Sequence, residues 1–280
     1  MTSAVEITAD YVQHVFDALT AIVSNAAAAT LATPSSAIEH RIKADRSPVT
    51  AADEASEAVI VQGVARVLPG VQVIAEESVG RSPPTHIDKT FVAVDPLDGT
   101  KEFIAGRDEF TVNLAIVDHG VPIAGIIAAP AQGSIWRGIV GGKAERLRLK
   151  PGAAPAEASE RTFIHTRPAP DRLVVATSRS HLDQATENFL AGLAVAKRFA
   201  CGSSLKLCYV AQGDVDIYPR LAPTREWDIA AGYAIVRAAG GVVIDPQGGP
   251  LRFGRIGEKF LVPGFIAWGD PAKASAAACG

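Results

Sequence analysis

Five short apolar runs follow one another between residues 71 and 140, and turn residues such as Gly120 separate some of them. Runs of this length that are rich in Val and Ile and bounded by Gly, Pro or Asp are typical of β-strands. The sequence therefore predicts that the first half of the chain is built on a sheet. Its strands are expected at 71–75, 90–94, 111–117, 123–129 and 134–140.

Apolar residues at helical spacing precede this strand-rich region. The pattern that begins at Val12 predicts an amphipathic helix from about residue 8 to residue 30. A second apolar pattern, at 59–68, predicts another helix, which starts near Asp53 and which Pro69-Gly70 ends. The segment 150–160 is rich in Pro, Ala and Glu, so we expect an exposed loop there between two halves.

Beyond that loop, strand-like and helix-like segments alternate, which is typical of an α/β unit. We expect strands at 173–177, 195–199, 216–219 and 242–245, and helices at 183–193, 203–212 and 228–239. The chain is therefore predicted to be an α/β protein in two parts. Residues 1–155 form an α+β half, and residues 156–280 form an α/β half.

The composition excludes several classes of function. A net charge of −3 with scattered Lys and Arg disfavours a nucleic-acid-binding surface. We expect no apolar stretch as long as the ~20 residues of a membrane span. The N-terminus lacks the basic segment followed by an apolar segment that is typical of a secretory signal. The three cysteines lack metal-type spacing and fit a reducing compartment. We expect a cytoplasmic monomer or homodimer with no nucleic-acid partner and no stable membrane insertion.

Acidic residues recur where predicted strands and helices begin or end. Asp95 and Asp98, in DPLDGTKEF, follow the apolar run FVAV, and Glu76 follows VQVIA. Asp53 and Asp228 lie near the starts of predicted helices. Because loops at strand ends converge on one crevice in such folds, we expect these carboxylates to meet there.

Several converging carboxylates suit a hard cation such as Mg²⁺, which prefers oxygen ligands. Two such ions can stabilise the entering and the leaving oxygen of a phosphoryl transfer. Cations between Asp95 and Asp98 would offset the repulsion of these two like charges. Pro96 and Gly99 shape the turn, so that the Leu97 carbonyl can face the same point.

Other interpretations of the same residues stay open. A lone D-P-x-D-G is often only a turn that is stabilised by aspartate side chains. Asp53 and Asp228 are each suited to cap a helix N-terminus. Glu76 and Glu77 could simply be solvated.

Four motifs in this order resemble those of the inositol monophosphatase superfamily, whose members are metal-dependent, lithium-sensitive phosphatases. They are SPVTAAD (47–53), AEES (75–78), DPLDGTKEF (95–103) and WDIAAG (227–232). Within it, the chain resembles the CysQ-type 3′(2′),5′-bisphosphate nucleotidases, on the evidence of DGTKEF, SRSH (178–181), GSSLK (202–206) and YPRLAPTREWD (218–228). The resemblance implies a layered αβαβα sandwich with the site between the halves.

The resemblance also implies roles for individual residues. Asp53 and Thr100 would activate the attacking water. Two or three Mg²⁺ ions would be held by Glu76, Asp95, the Leu97 carbonyl, Asp98 and Asp228. The substrate contacts would include Thr100, His181, Ser203, Lys206, Arg220 and Asp228.

The expected reaction is hydrolysis of the 3′-phosphate of 3′-phosphoadenosine 5′-phosphate, which gives AMP and phosphate by in-line attack of a metal-activated water. Ser203, Lys206 and Arg220 offer donors suited to the second phosphate of this substrate. Such an enzyme would serve sulfur metabolism by removing an inhibitory product. Arg220 could instead be a surface charge, and His181 an ordinary residue near a helix start.

Two alternatives to a nucleotidase remain. The first is an inositol monophosphatase, which would need neither Lys206 nor Arg220. The second is a non-catalytic sensor of phosphonucleotides, which a missing ligand or water-activating residue would favour. All of the expected ligands and both water-activating residues are present in this sequence.

Overall fold

The computed structural model describes residues 9–33, 41–42, 48–180 and 182–278. In chain order its α-helices are α1 (Ala9–Ala32), α2 (Ala51–Val67), α3 (Glu76–Arg81), α4 (Thr100–Ile104), α5 (Gln184–Ala191), α6 (Leu205–Ala211), α7 (Glu226–Ala238) and α8 (Pro271–Ala278). The strands are β1 (Arg41–Ile42), β2 (Pro48–Val49), β3 (Gln72–Ala75), β4 (Thr90–Asp98), β5 (Thr111–Asp118), β6 (Val121–Ala129), β7 (Ser134–Ile139), β8 (Ala144–Arg148), β9 (Glu160–Ile164), β10 (Leu173–Ser178), β11 (Val195–Cys201), β12 (Ile217–Arg220), β13 (Thr224–Arg225), β14 (Val242–Ile244), β15 (Leu261–Val262) and β16 (Phe265–Trp268).

The first half of the chain is built on a seven-stranded sheet with the order β3-β4-β5-β6-β7-β8-β9. Strand β3 pairs with β4 in parallel, and the remaining neighbours are antiparallel. All five strands predicted for this half are present. Strands β8 and β9 were missed because their sequences, AERLR and ERTFI, are rich in charge and are held by pairing with neighbours.

The predicted loop at 150–160 is shorter than expected, because β9 begins at its last residue. A short 3-10 turn, Pro155–Glu157, interrupts this loop. Strand β9 therefore extends the first sheet to residue 164, which is nine residues beyond the predicted end of the first half at 155. The division of the chain at 155/156 stays a prediction.

The second half carries a five-stranded sheet with the order β11-β10-β12-β16-β14. Its predicted strands and helices are present, and the structure adds β16, which was missed. Strand β16 pairs antiparallel with both β12 and β14, so it is an interior strand that joins β14 to the rest of the sheet. Its sequence, FIAW, is fully buried, and a run of four apolar residues could not be assigned to a strand from periodicity alone.

The elements stack in five layers, which confirms the predicted αβαβα sandwich. Helices α1 and α2 cover the outer face of the seven-stranded sheet, where Leu19 and Ile60 join its buried side chains. Helices α6 and α7 lie between the two sheets, whose inner faces supply residues such as Phe91 and Phe265. Helices α5 and α8 cover the other face of the five-stranded sheet, with Leu190 and Ala274 in its core.

Helix α7 lies unusually close to its neighbours because two glycines leave room for it. A Cβ added to Gly125, on β6, would be 2.1 Å from the Ala231 carbonyl oxygen of α7. A Cβ added to Gly232, on α7, would be 2.2 Å from Cδ1 of Leu207 on α6. These contacts fix the position of α7, and with it the first turn that carries Asp228.

Helix α1 meets the length and composition of a membrane span from Asp10 to Ala32. The expectation that no stretch approaches this length was therefore wrong, because the only ionic side chains there are Asp10 and Asp17. Half of the span's most apolar window is buried within the protein. Asp17 accepts a hydrogen bond from Arg137 of β7 at 2.5 Å. A core helix passes the same test, so this one helix is weak evidence for a membrane.

Candidate functional site

Two neighbouring strands bring the first pair of carboxylates together. Strands β3 and β4 run in parallel, and Ala75 pairs with Val94 at the end of their ladder. Glu76 and Asp95 directly follow these two residues, so they lie side by side at the same end of this strand pair. Glu76 is also the first residue of α3, which turns the chain away from the sheet at this point.

A third carboxylate reaches the same place from the other half of the chain. Asp228 lies in the first turn of α7, which packs against β4, β5 and β6. One carboxylate oxygen from each of Glu76, Asp95 and Asp228 lies within 4.8 Å of the other two. The structure therefore brings together three of the residues that were predicted to hold a metal ion.

The DPLDG segment is the irregular last part of β4, which runs to Asp98 and is followed by Gly99. The Asp95 carboxylate accepts a hydrogen bond from the Leu97 N–H at 3.0 Å, and the β4-β5 register is interrupted between Asp95 and Asp98. Gly99 has φ +92°, and a Cβ there would lie 3.0 Å from the Glu109 carbonyl oxygen. Residues 95–98 thus belong to β4 and not to a simple turn, although the aspartate hydrogen bond expected of a turn is present, and Asp98 lines the same cavity as Asp95.

The predicted water-activating pair, Asp53 and Thr100, is in contact. The Thr100 hydroxyl lies 3.3 Å from Asp53 Oδ1 and 3.1 Å from the Leu97 carbonyl oxygen. Asp53 Oδ2 accepts hydrogen bonds from the Thr50 N–H and hydroxyl, at 2.8 and 2.6 Å. Asp53 thus uses one carboxylate oxygen for the helix and presents the other to Thr100.

Asp53 and Asp228 both lie at the third position of a helix, so neither is the N-cap residue itself, but each accepts a hydrogen bond from the N-cap N–H and so takes part in capping, as the alternative held. Thr50 is the N-cap of α2 and forms a capping box with Asp53. Arg225 is at the N-cap position of α7, and its N–H donates to Asp228 Oδ2 at 3.1 Å. The Thr224 hydroxyl makes a short hydrogen bond to the same Asp228 oxygen.

Burial and mutual repulsion disfavour the charged forms of this cluster. Burial raises the pKa of Asp95 well above its ordinary value, and the neighbouring charges of Glu76, Asp98 and Asp228 raise it further. Burial also raises the pKa of Asp228 to about 7, with Asp98 and Glu76 as the next contributors. Hard oxygen donors at such short separations fit a divalent cation, which would favour their ionised forms.

The pH dependence of metal binding follows from the raised pKa of Asp228. Without metal, the folded protein favours protonated Asp228, because its pKa is raised to about 7. This preference adds to the free energy of unfolding at low pH, and the contribution is lost as the pH rises through 7. Because a divalent cation needs ionised carboxylates and the pKa of Asp95 is raised as well, the apparent affinity for Mg²⁺ should fall at least about tenfold per pH unit below 7. The measurement is the rise in Tm on adding Mg²⁺ at pH 6, 7 and 8. Equal stabilisation at all three values would contradict this expectation.

A buried glutamate that the sequence analysis missed holds the start of α3. Glu57, on α2, is 3% exposed. It accepts hydrogen bonds from the Glu77 N–H at 2.9 Å, the Ser78 hydroxyl at 2.7 Å and Arg81 at 2.9 Å. These bonds anchor the first turn of α3, and so they position Glu76. Nothing in the local sequence of Glu57 distinguishes it from a solvated helix residue.

A cavity of about 490 Å³ opens beside the carboxylates, between the two halves. Both halves line it, which agrees with the site position that the resemblance implied. The predicted site residues on its wall are Glu76, Asp95, Leu97, Asp98 and Thr100 from the first half, and Ser203, Lys206, Arg220 and Asp228 from the second. His181 lies outside the described residues.

Lys206 lines the cavity, but most of its hydrogen bonds go to backbone carbonyl groups of the protein. It is 2% exposed, and its ammonium group donates to the carbonyl oxygens of Cys201 and Ser203. The same group lies 5.2 Å from the ring centroid of Tyr218. Ser203 has φ +47°, so Lys206 supports a turn in a left-handed conformation. Two of its three hydrogens are used in this way, which leaves one for a ligand.

Arg220 is mostly buried on the cavity wall, so the alternative that it is an ordinary surface charge does not describe its position. Its Nη2 donates to the Pro223 carbonyl oxygen at 3.2 Å. Among the described residues, its buried Nε has no hydrogen-bond partner. Burial works to lower the pKa of Arg220, but the nearby Tyr218 and Asp228 outweigh it and the pKa is raised. The guanidinium therefore stays charged.

Three side chains near the site are packing residues, as expected. Trp227 is 4% exposed and lies 5.7 Å from Phe260 between ring centroids. Cys201 and Cys208 are both buried. Burial raises the pKa of the Cys201 thiol to about 11, which keeps it in its unreactive form.

Two glutamates of the first half, both missed from sequence, bind the second half beside the cavity. Glu109 accepts two hydrogen bonds from Arg179, at 2.8 and 2.6 Å, and one from the Gly202 N–H at 2.8 Å. Glu102 accepts one from the Ser180 hydroxyl at 2.6 Å. These contacts hold the SRS and GSS segments against residues 102–109, and so they shape the wall where a substrate would lie.

Comparison with known proteins leads to the same family that the sequence motifs resemble. A family described as the inositol monophosphatase family matches residues 10–274. The 3′(2′),5′-bisphosphate nucleotidase CysQ of Escherichia coli (strain K12) is 44% identical over 224 residues, which cover 80% of this chain and 86% of that protein. Among solved structures, CysQ from Bacteroides thetaiotaomicron has a TM-score of 0.73 at 33% identity, over 91% of this chain and 97% of that one. An inositol monophosphatase from Anabaena (Nostoc) sp. PCC 7120 has a TM-score of 0.72 at 25% identity, over 95% of each chain.

Proposed function

This chain belongs to the inositol monophosphatase family, and from that premise we propose that it is a Mg²⁺-dependent bisphosphate nucleotidase. The proposed reaction is hydrolysis of the 3′-phosphate of 3′-phosphoadenosine 5′-phosphate to AMP and phosphate. The observation that carries this proposal is the meeting of Glu76, Asp95 and Asp228 at a cavity that Lys206 and Arg220 also line. The first three groups suit a metal, and the last two suit a second phosphate.

Glu76, Asp95, Asp98, Asp228 and the Leu97 carbonyl would hold two or three Mg²⁺ ions. When bound, the ions lower the pKa of water and neutralise negative charge on the phosphoryl oxygens. The raised pKa values of Asp95 and Asp228 fit this role. Ionising both buried carboxylates is unfavourable, and the attraction of a bound cation would offset that free energy. Asp95 is 2% exposed, so its charge is poorly screened by solvent.

The proposed reaction is direct in-line attack of water on phosphorus, with no covalent intermediate on the protein. The Thr100 hydroxyl and Asp53 Oδ1, 3.3 Å apart, would orient the water. A bond forms between the water oxygen and phosphorus as the bond from phosphorus to the ribose 3′-oxygen breaks. A proton of the attacking water passes toward the Asp53 carboxylate, the ribose 3′-oxygen takes up a proton from a second, solvent water as it leaves, and the proton on Asp53 then returns to solvent.

The second half of the chain would select the nucleotide. Arg220, a charged side chain on the cavity wall, suits a phosphate on the substrate. Ser203 and the remaining hydrogen of Lys206 would add donors, and Thr100 and Asp228 would also contact the substrate. A contact of His181 with the base or ribose stays a prediction, as do cytoplasmic location, a role in sulfur metabolism, lithium inhibition and a monomeric or homodimeric state.

Phosphate release by the purified protein tests the proposal. We expect Mg²⁺-dependent, chelator-sensitive release from 3′-phosphoadenosine 5′-phosphate that is much faster than from inositol 1-phosphate. A preference for inositol 1-phosphate would favour the inositol monophosphatase alternative and leave the metal site standing. Binding of the nucleotide without release from either compound would instead favour a sensor.

Removal of the Arg220 charge should separate the two enzyme alternatives. In Arg220→Met, kcat/KM for 3′-phosphoadenosine 5′-phosphate should fall by about 10–100-fold, the size of a lost charge-assisted contact. The value for p-nitrophenyl phosphate, which has one phosphate, should change less than about threefold. Arg198→Met, at an exposed ion pair with Glu187, is the matched control and should change neither. Equal losses on both substrates would show that Arg220 supports the metal site instead.

A further inference from the structure

One serine hydroxyl connects two of the carboxylate-bearing elements. Ser204 directly precedes α6 and is 3% exposed. Its Oγ lies 2.7 Å from Asp98 Oδ2, on the first half, and 2.6 Å from the backbone carbonyl oxygen of Asp228, on α7. Both neighbours are hydrogen-bond acceptors. Because a serine hydroxyl carries one proton, the two acceptors share it.

An asparagine of the seven-stranded sheet supplies the donor that this arrangement requires. Asn113, on β5, is 1% exposed and pairs across the ladder with Asp95. Its side-chain Nδ2 donates to Ser204 Oγ at 2.9 Å. This bond occupies a lone pair of the hydroxyl, so the hydroxyl proton faces Asp98 and Asp228. Within the described part of the chain, the buried Oδ1 of Asn113 has no hydrogen-bond partner. A buried polar atom without a partner lowers stability, so packing alone would favour an apolar residue at this position.

We propose that Asn113 and Ser204 are positioning residues that assemble the metal centre from its two halves. The inference rests on the proposed function, since it concerns the same carboxylates. Ser204 orients the Asp98 carboxylate and at the same time holds the first turn of α7, which sets the place of Asp228. The chain of bonds runs from Asn113 through Ser204 to Asp98 and Asp228, and so it joins β5, β4 and α7. Neither residue touches the metal or the phosphate in this role.

Many residues do not bind a metal themselves but donate a hydrogen bond to one of its ligands. Removing such a hydrogen bond commonly lowers metal affinity or activity by about 10–100-fold. We therefore expect Ser204→Ala to weaken Mg²⁺ binding by about this factor. At saturating Mg²⁺, the KM for 3′-phosphoadenosine 5′-phosphate should change less than about threefold. A role in substrate binding would show the reverse, with the KM raised and the metal affinity unchanged.

The test is calorimetric titration of the full-length protein with Mg²⁺ alone, so that it does not depend on turnover. Ser204→Thr, which keeps the hydroxyl, should recover most of the affinity. Ser134→Ala is the matched control, because Ser134 is 4% exposed and lies on β7, away from the carboxylates. Circular dichroism and Tm identify any variant that fails to fold.

Asn113→Ala approaches the same bond from the other half of the chain and covers a failure of Ser204→Ala to fold. It should weaken Mg²⁺ binding similarly, and the double variant should lose little more than either single one. Mg²⁺ affinity within twofold of wild type in the folded variants, or fully additive losses, would overturn the positioning role alone. Failure of the wild-type protein to bind Mg²⁺ would overturn the proposed function as well.

Discussion

Replacement of Asp95 by asparagine should reduce phosphate release at least about a thousandfold and should also raise the Tm of the metal-free protein. The loss of activity is expected because the side chain lies in the carboxylate cluster with Glu76 and Asp228. The gain in stability is expected because burial and three neighbouring carboxylates raise the pKa of Asp95. Asparagine removes this buried charge and can still accept the 3.0 Å hydrogen bond from the Leu97 N–H.

Opposite changes in activity and stability distinguish a functional carboxylate from a structural one. Phosphate release and Tm are measured in parallel, with and without Mg²⁺, and Mg²⁺ should stabilise the variant much less than the wild type. A lower Tm of the metal-free variant would show that Asp95 is held ionised by the protein alone. Unchanged turnover would refute its assignment as a metal ligand.

Asp118→Asn is a suitable control at the far end of the same strand pair. Asp118 lies opposite Thr90 and accepts a hydrogen bond from its hydroxyl at 2.5 Å. Burial works to raise the pKa of Asp118, but the bonds from Thr90 and His119 outweigh it and the pKa is lowered. This variant should therefore lose a little stability at neutral pH and keep its full phosphate release.

The second large effect is expected from Gly125→Ala, which should destabilise the protein by about 3 kcal/mol. The added methyl group would meet the Ala231 carbonyl oxygen at 2.1 Å, and this backbone atom can move only if α7 moves. A shift of α7 would also displace Asp228, so the folded fraction should need more Mg²⁺ for half-maximal phosphate release. Denaturant unfolding and a Mg²⁺ titration of activity measure the two consequences.

Gly80→Ala is the matched control for this change. A Cβ at Gly80, within α3, would meet nothing within 4 Å, and its φ lies outside the left-handed range. Alanine is favoured over glycine in a helix by up to about 1 kcal/mol, so the stability should stay constant or rise slightly. A Gly125→Ala variant as stable as Gly80→Ala would show that α7 can move away from the sheet at little cost.

The sequence alone determined much of the local structure. Helix α1 was predicted because its apolar residues recur at helical spacing, and strand β5 because it is a short apolar run rich in Val and Ile. The candidate metal ligands Asp95 and Asp98 were predicted because they lie within a motif of nine consecutive residues, 95–103. Such features depend on neighbours along the chain, and these are visible in the sequence.

The tertiary structure decided what depends on partners far apart in the chain. Strands β8 and β9 are charged and exist through pairing, and β16 gains its identity from the two strands beside it. Asn113 and Ser204 are 91 residues apart, and Ser204 and Asp98 are 106 apart. A buried polar side chain acquires its role from whichever donor or acceptor the fold places beside it. Residue type and spacing in the sequence do not contain that information.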